Sequence, residues 1–352
     1  MSRREQLAVP PVQLEAAPDF QSYYGRPILK QPTWKSPDVP VYLFSGGLAG
    51  ASAVLAELAA ATGRPALTST ARLGACAGSL VGVGCLIHDL GRPARFLHML
   101  RVFKPTSPLS VGTWILSPFS ALSTVALASQ LTGITPALGR AAGIGAAVFG
   151  GPMTSYTGVL LADTAVPAWH DAHRELPVLF AASALAAAGG LGLTGAAVPD
   201  NAPAARLGAL GATVELAVSA AMERRLGMIG ERYRLGSAGR WMRTARMLSV
   251  AGVAGALVGR RSRAVSVVSG LALLAGSLAT RFGVFEAGKA SAADPRDVIV
   301  PQRARRAAST APPQPPDMET YRGIPALTDR DMSPCRGSGG GSAADGGAEG
   351  FA

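Results

Sequence analysis

The sequence predicts an all-α integral membrane protein of about eight transmembrane helices, arranged as two four-helix bundles. Three observations carry this. Only 16% of the 352 residues are charged and 48% are hydrophobic, with a mean hydropathy of +0.27. A water-soluble domain carries about 25% charged residues, so this chain has too little polar surface to stay in water as an ordinary globule. Apolar windows of about 20 residues recur along it, the length that a helix rising about 1.5 Å per residue needs to cross about 30 Å of hydrocarbon. Within those windows small residues repeat at four-residue spacing, which lets helix backbones meet closely in lipid.

The windows fall at residues 40–61, 68–88, 111–131, 138–161, 176–197, 206–223, 244–259 and 264–286. The seventh is the weakest, being short and closed by Arg260, Arg261 and Arg263. Were it to lie in the interface, seven spans would remain and the C-terminus would change side. Residues 1–39 carry proline, tyrosine and charge but no apolar core of a signal peptide, and are expected to form a cytoplasmic N-terminal tail. From residue 288 to 352 the chain is rich in Pro, Gly, Ala and Ser and ends in GSGGGSAADGGAEGFA, the composition of a largely disordered cytoplasmic tail. Within it, residues 294–306 are the piece most able to fold onto a partner.

Gly46 and Gly50, then Gly74, Gly78 and Gly82, and later Gly139 and Gly143 form the small-residue stripes and mark helix contacts. Pro118 lies inside the third span, and Gly150-Gly151-Pro152 is expected to interrupt the fourth. Leu73-Gly74-Ala75 recurs as Leu207-Gly208-Ala209, and the same offset carries His88-Asp89 to Met222-Glu223. This echo fits duplication of a four-helix unit.

Lys and Arg are unevenly shared. Twenty-two fall with the N-terminal tail, the loops after spans two, four and six, and the start of the C-terminal tail, against seven on the other side. The positive-inside rule places the first set, and both termini, in the cytoplasm of a multi-pass plasma membrane protein. Because the basic residues flank apolar spans, they read as orientation signals and lipid anchors, and no nucleic acid is expected as partner. Cys76, Cys85 and Cys335 form no C-x-x-C pair and have no histidine at ligand spacing, which excludes an iron–sulfur cluster, a zinc site or a disulfide framework in this chain. All four histidines lie at rims or in loops, so no haem is expected.

Ionisable groups in or beside the spans are the functional lead, since burying one is costly without a purpose or partner. The densest group is HDLGRPARFLHMLRVFKPTSP at residues 88–108. His88 and Asp89 end the second span there, and Arg92, Arg95, Arg101 and Lys104 follow on an amphipathic stretch suited to the headgroup layer. The arginines alone are equally well explained as anchors on anionic lipid. The second group is SYTGVLLADTAVPAWHDAHRELP at residues 155–177, which brings Tyr156, Asp163, His170, Asp171 and His173 to the same rim. Tyr156 alone would more often be an interfacial anchor, and His170 with His173 lacks a third metal ligand. Of the charges within spans, Glu57 and Glu215 are candidates for a proton path, while Arg281 is expected to reach the cytoplasmic surface.

Extended to HDLGRPARFLHMLRVFKPTSPLSVGTW (88–114), and with the stretch at 155–177, the chain resembles the NrfD, or polysulfide reductase membrane subunit, family. The resemblance runs through approximately residues 40–287. It implies a quinone-binding membrane subunit without a redox cofactor of its own. Menaquinone or ubiquinone would be its bound substrate. Electrons would pass to or from an iron–sulfur subunit attached to a molybdopterin-type catalytic subunit. It also implies that Tyr156 contacts the quinone and that His88 and Asp89 form the polar end of the pocket. Some relatives add a His or Asn on the first span; here that span offers only Tyr42, Ser45 and Glu57.

Quinone chemistry moves two electrons and two protons, so its site needs an apolar slot, donors for the carbonyls and titratable groups. Tyr156 and His88 would donate, Asp89 would fix the imidazole tautomer, and Asp163 would exchange protons with the cytoplasm. The basic loop with Arg92, Arg95, Arg101 and Lys104 would dock an acidic partner face. The alternative is a secondary transporter or ion channel, which would share the repeats, the broken fourth span and the buried carboxylates.

Overall fold

A computed structural model describes residues 28–92, 94–258 and 262–310. The chain divides at Arg303 into two units, and every contact given below lies within the first; the second opens with the end of α11. The described residues form α1 (Asp38–Ala61), α2 (Pro65–Asp89), the short α3 (Ala94–Met99), α4 (Pro108–Thr132), α5 (Pro136–Ala162) and the one-turn α6 (Pro167–His170). Then follow α7 (Leu176–Gly195), α8 (Ala202–Arg225), a 3-10 turn at Ile229–Tyr233, α9 (Gly236–Val258), α10 (Arg263–Ala293) and α11 (Arg296–Thr310). There is no strand among them.

Proline sets most of the boundaries. It stands at the first or second position of α2, α4, α5, α6, α7 and α8, where its missing N–H costs nothing and its fixed φ suits the helix. Gly133, at φ 70°, ends α4 in the left-handed conformation that a side chain would strain.

Seven of the helices are long and apolar enough to cross a membrane. The chain is an all-α membrane protein. The exception among the long helices is α9, which opens on Arg240, Arg243 and Arg246 and so fails on composition, not on length. It does not lie flat. It runs antiparallel to α10 along its whole length, with Gly283 against Met242, Gly276 against Ser249, Gly252 against Leu273 and Gly255 against Ser269. A helix that tracks α10 this closely crosses wherever α10 crosses.

The helices pair as α1, α2, α4 and α5 in one bundle and α7, α8, α9 and α10 in the other, joined mainly where α7 meets α1 and α5. The expected glycine stripes are the contact surfaces. A Cβ on Gly50 would lie 2.6 Å from the Gly150 carbonyl oxygen, and one on Gly150 would lie 2.5 Å from that of Gly50. Gly74, Gly78 and Gly82 receive Ser52, Ala49 and Ser45 of α1 in the same way. Because rigid backbone closes the α1–α5 contact, Gly150→Val should cost about 1–3 kcal/mol, read as a lower unfolding midpoint of the purified chain in detergent.

Three expectations are corrected here. Gly150-Gly151-Pro152 does not break its helix: α5 runs unbroken through it, and Gly150 serves the close approach to α1. Helical structure also continues past residue 288, since α10 extends to Ala293 and α11 begins at Arg296. Arg232 holds this turn, with Nε 2.7 Å from Asp297 Oδ2 and a second bond to Asp294. Residues 1–27 and 311–352, most of the two expected tails, lie outside the described residues. The third correction concerns Arg281. With α10 ending at Ala293, it sits about 18 Å below the helix end and is fully buried, too deep to reach the surface.

One end of the bundles, termed the near face, collects residues 28–37, α3, α6, the 3-10 turn and the end of α10. Trp34 stacks on Trp169 at 5.5 Å, and Trp169 packs on Phe285 at 5.9 Å. The far face carries the α1–α2, α4–α5 and α7–α8 connections, the end of α9 and the start of α10. There Arg64 Nη1 donates to Pro199 O at 3.1 Å and Arg263 Nη1 to Leu193 O at 2.9 Å.

Candidate functional site

The near face of the first bundle holds most of the expected site residues. Tyr156 lies on α5 about two turns from its end, 7% exposed. Its ring fills the space above Gly112 of α4, where a Cβ would come within 2.1 Å of the ring and 2.8 Å of the phenol oxygen. No other residue at 112 would leave that slot. Tyr156 belongs to a buried cluster with Val39, Tyr42, Leu43, Leu116 and Met153, and Cys85 and Leu86 of α2 pack at its edge.

Tyr42 is the α1 contribution. It is 4% exposed and its hydroxyl is buried without a hydrogen-bond partner. Such a group costs about 1–3 kcal/mol if nothing meets it, so it points to a ligand or an ordered water. The sequence placed Tyr42 on α1 only as a residue standing where relatives have His or Asn. What reveals it is the missing partner, which no sequence pattern displays.

His88 and Asp89 end α2, but they do not pair with each other. Adjacent residues on a helix diverge by about 100°, and each reaches separately to the chain entering α1. His88 Nδ1 lies 2.8 Å from Asp38 Oδ2, and Asp89 Oδ1 accepts from the Lys35 backbone N–H at 3.1 Å. The expectation that Asp89 fixes the His88 tautomer is therefore corrected: Asp38, in the first turn of α1, holds that position. The His88 side chain is 74% exposed, and among the described residues no hydrogen bond joins it to Tyr156. His88→Ala should change stability by less than about 1 kcal/mol, since exposed ion pairs contribute little. A fall in unfolding midpoint as large as that of Gly150→Val would contradict this placement.

Asp163 is exposed and caps α5, its N–H bonded to Val159 O at 2.9 Å. The chain then turns into α6, which is tied into the second bundle: Trp169 Nε1 donates to Val284 O at 2.8 Å and Tyr233 donates to Ala168 O at 2.7 Å. His170 and His173 are exposed and bond backbone carbonyls. Beside α6, Leu29, Pro32, Trp34, Thr164, Val166 and Trp169 line a cavity of about 300 Å³, at the lower end of the size range of ligand pockets. Sequence reasoning missed this part, because residues 28–34 read as a polar tail. At the edge of the α6 segment, Arg225 and Glu175 form a close pair, and that hydrogen bond holds the Glu175 carboxyl below the usual carboxylate range.

Arg92, Arg95, Arg101 and Lys104 are all exposed on or beside α3. Leu97, Val102 and Phe103 are exposed among them, and Phe103 meets Trp114 edge-on at 6.0 Å. α3 itself covers only Ala94–Met99 of the expected amphipathic stretch.

The span carboxylates lie away from Tyr156. Glu57 pairs with Arg72 at 2.9 Å near the far face. Glu215, in the second bundle, accepts from Thr280 through one oxygen and leaves the other buried and unpartnered. Arg281 donates to Phe180 O at 2.8 Å with its guanidinium 3.7 Å above the Phe180 ring.

Residues 30–198 match the family described as "Polysulphide reductase, NrfD". The match covers the first bundle and α7. It thus includes both rim stretches that carried the resemblance, begins ten residues before the expected start, and stops short of α8 where the resemblance was expected to reach residue 287. Members of that family are membrane subunits of oxidoreductase complexes, and they partner with catalytic and iron–sulfur subunits. Among curated proteins nothing matches.

Proposed function

We propose, from the NrfD match over residues 30–198, that this protein is the quinone-reactive membrane subunit of an oxidoreductase complex. In this account it exchanges electrons between the membrane quinone pool and an iron–sulfur subunit, itself attached to a molybdopterin-type catalytic subunit. The observation that carries the proposal is the pair of buried phenols. Tyr156, over Gly112, and Tyr42, with its unpartnered hydroxyl, supply donors inside one apolar cluster at the near face. A quinone ring needs that combination of greasy walls and a few placed donors.

In this account Tyr156 donates to a ring carbonyl and fixes the head group. His88 with Asp38, and Asp89, stand at the near-face ends of α1 and α2, the helices that flank this cluster, and Asp163 caps the helix that carries Tyr156. The charge bias supports placing the near face in the cytoplasm. Exposed Arg92, Arg95, Arg101 and Lys104 then offer a basic surface to an acidic iron–sulfur partner, with Leu97 and Phe103 settling in the headgroup layer. The transporter alternative leaned on a break in the fourth long helix, and α5 is continuous.

The test is pull-down of the full chain from its native membrane, followed by quinone titration. The proposal expects an iron–sulfur protein to co-purify and a short-chain quinone to bind the complex saturably. Co-purification of no redox protein, together with no saturable quinone binding, would overturn it.

A further inference from the structure

Beyond residue 198 the chain lies outside the family match, and there the far face of the second bundle holds a further cavity. It measures about 50 Å³ and lies where α8, α9 and the start of α10 meet the α7–α8 connection. Ala202 and Ala205 of α8 and Ala256 of α9 form walls whose short side chains leave the space open. The inner end is polar: Asn201 and Ser266 line it, each 4% exposed. Asn201 Nδ2 donates to Ser266 Oγ at 2.8 Å, and Ser266 Oγ donates to Leu193 O at 3.1 Å. The first bond uses one of the two amide hydrogens of Asn201. A polar hollow of this size has room for about four waters, or for one small polar group such as a phosphodiester.

Arg206 stands at the outer end. It is exposed and, among the described residues, makes no hydrogen bond or ion pair. Two other arginines at this corner are engaged on backbone carbonyls. Arg64 Nη1 donates to Pro199 O at 3.1 Å, and Arg263 Nη1 donates to Leu193 O at 2.9 Å and Ala196 O at 2.6 Å. They fasten the α7–α8 connection that closes the cavity, a task in which Arg206 has no part. Asp200, beside Asn201 in the chain, is turned away, its carboxylate accepting from the Ala66 N–H at 3.3 Å. The described residues lining the cavity include no carboxylate.

The helix surfaces beside the cavity are apolar and open. Leu210, one turn from Arg206 on the same side of α8, is 60% exposed. On α9, Val250 and Leu257 are seven residues apart, so they share a face, and they are 56% and 50% exposed. A ligand that suits this corner brings an anionic head to the cavity and hydrocarbon to the helix surfaces beside it.

We propose that the cavity binds the head of an anionic phospholipid. Arg206 pairs with the phosphodiester through parallel N–H donors, Asn201 offers its remaining amide hydrogen, and the acyl chains lie along Leu210, Val250 and Leu257. Lys and Arg are scarce on the far side, seven against twenty-two, so an unpaired arginine at a polar cavity there runs against the charge bias that orients the chain. A lipid phosphate supplies its counter-charge. The proposal stands on the membrane fold alone and does not depend on the quinone assignment.

Native mass spectrometry of the full chain in detergent, titrated with dioleoylphosphatidylglycerol, is the test. The expected result is one phosphatidylglycerol retained per chain at concentrations where dioleoylphosphatidylcholine is not. Arg206→Gln should weaken retention about fivefold, the scale of one basic residue at a lipid surface. Ala202→Leu fills the cavity and leaves every charge in place, so it should weaken retention at least as much, and it covers the case in which Arg206→Gln fails to fold. Arg140→Gln removes another exposed far-face arginine, at the start of α5 in the first bundle, and should leave retention unchanged. Equal retention of the two lipids, an equal loss in Arg140→Gln, or unchanged retention in Arg206→Gln and Ala202→Leu overturns the proposal. Inorganic phosphate displacing the lipid at matched concentration would assign the cavity to a free anion and overturn it as well.

Discussion

Tyr156→Phe should lower quinone turnover by about a hundredfold, or about 2.7 kcal/mol of barrier, with the fold intact. The substitution removes one oxygen and keeps the ring. That ring is what fills the space over Gly112 and packs with Leu116 and Met153, so packing and assembly survive. What is lost is a phenol held in an apolar cluster, where a hydrogen bond to a carbonyl is stronger than in water. The check is steady-state turnover with a short-chain quinol or quinone beside a thermal unfolding curve of the same preparation. Equal turnover with an unchanged midpoint would remove Tyr156 from the site.

Arg281→Leu should have the largest effect on stability, about 3–5 kcal/mol, because it strands a buried carboxylate. Arg281 is fully buried in α10, held by the Phe180 carbonyl and ring, and its neighbour Thr280 carries the hydrogen bond to Glu215 of α8, itself 3% exposed. Among the described residues Arg281 and Glu215 make no direct ion pair, and each keeps a buried polar atom without a partner. Removing one buried charge leaves the other uncompensated, which costs more than removing both. The double variant Arg281→Leu/Glu215→Leu should therefore regain much of the loss. Unfolding midpoints of the three variants in detergent check this. If the double variant is less stable than the single one by the full cost of Glu215→Leu alone, the two residues are not coupled.

The long helices were legible because they rest on one-dimensional quantities: length, apolar content and the small residues that spoke of close packing. Gly46, Gly50, Gly74, Gly78 and Gly82 all turned out to be contacts between helices of the first bundle. α9 was the weakest element for a sound reason, since its arginines at 240, 243 and 246 mask a helix whose membership is decided by its fit to α10. The two rim stretches carried the family resemblance because they concentrate unusual residues in order, and both fall within the matched residues 30–198.

What could not be read was which groups face each other. His88 and Asp89 are neighbours in sequence and not in space, and the partner of His88 is Asp38, fifty positions away. Arg281 looked close enough to the surface only because its helix was taken to end at residue 286, where α10 continues to Ala293. Glu57 looked like a lone carboxylate until α2 brought Arg72 beside it. Tyr42 drew notice only by comparison with relatives, although it is buried in the same cluster as Tyr156 and its hydroxyl has no partner.

The central claim is that a quinone head group sits among α1, α4 and α5 at the near face. Photolabelling of the complex with an azido-quinone, followed by peptide mapping, tests it most directly. The account predicts label on the α5 peptide containing Tyr156 and the α1 peptide containing Tyr42, suppressed by excess unlabelled quinone. Label confined to α8, α9 and α10, or label that excess quinone does not suppress, would contradict it.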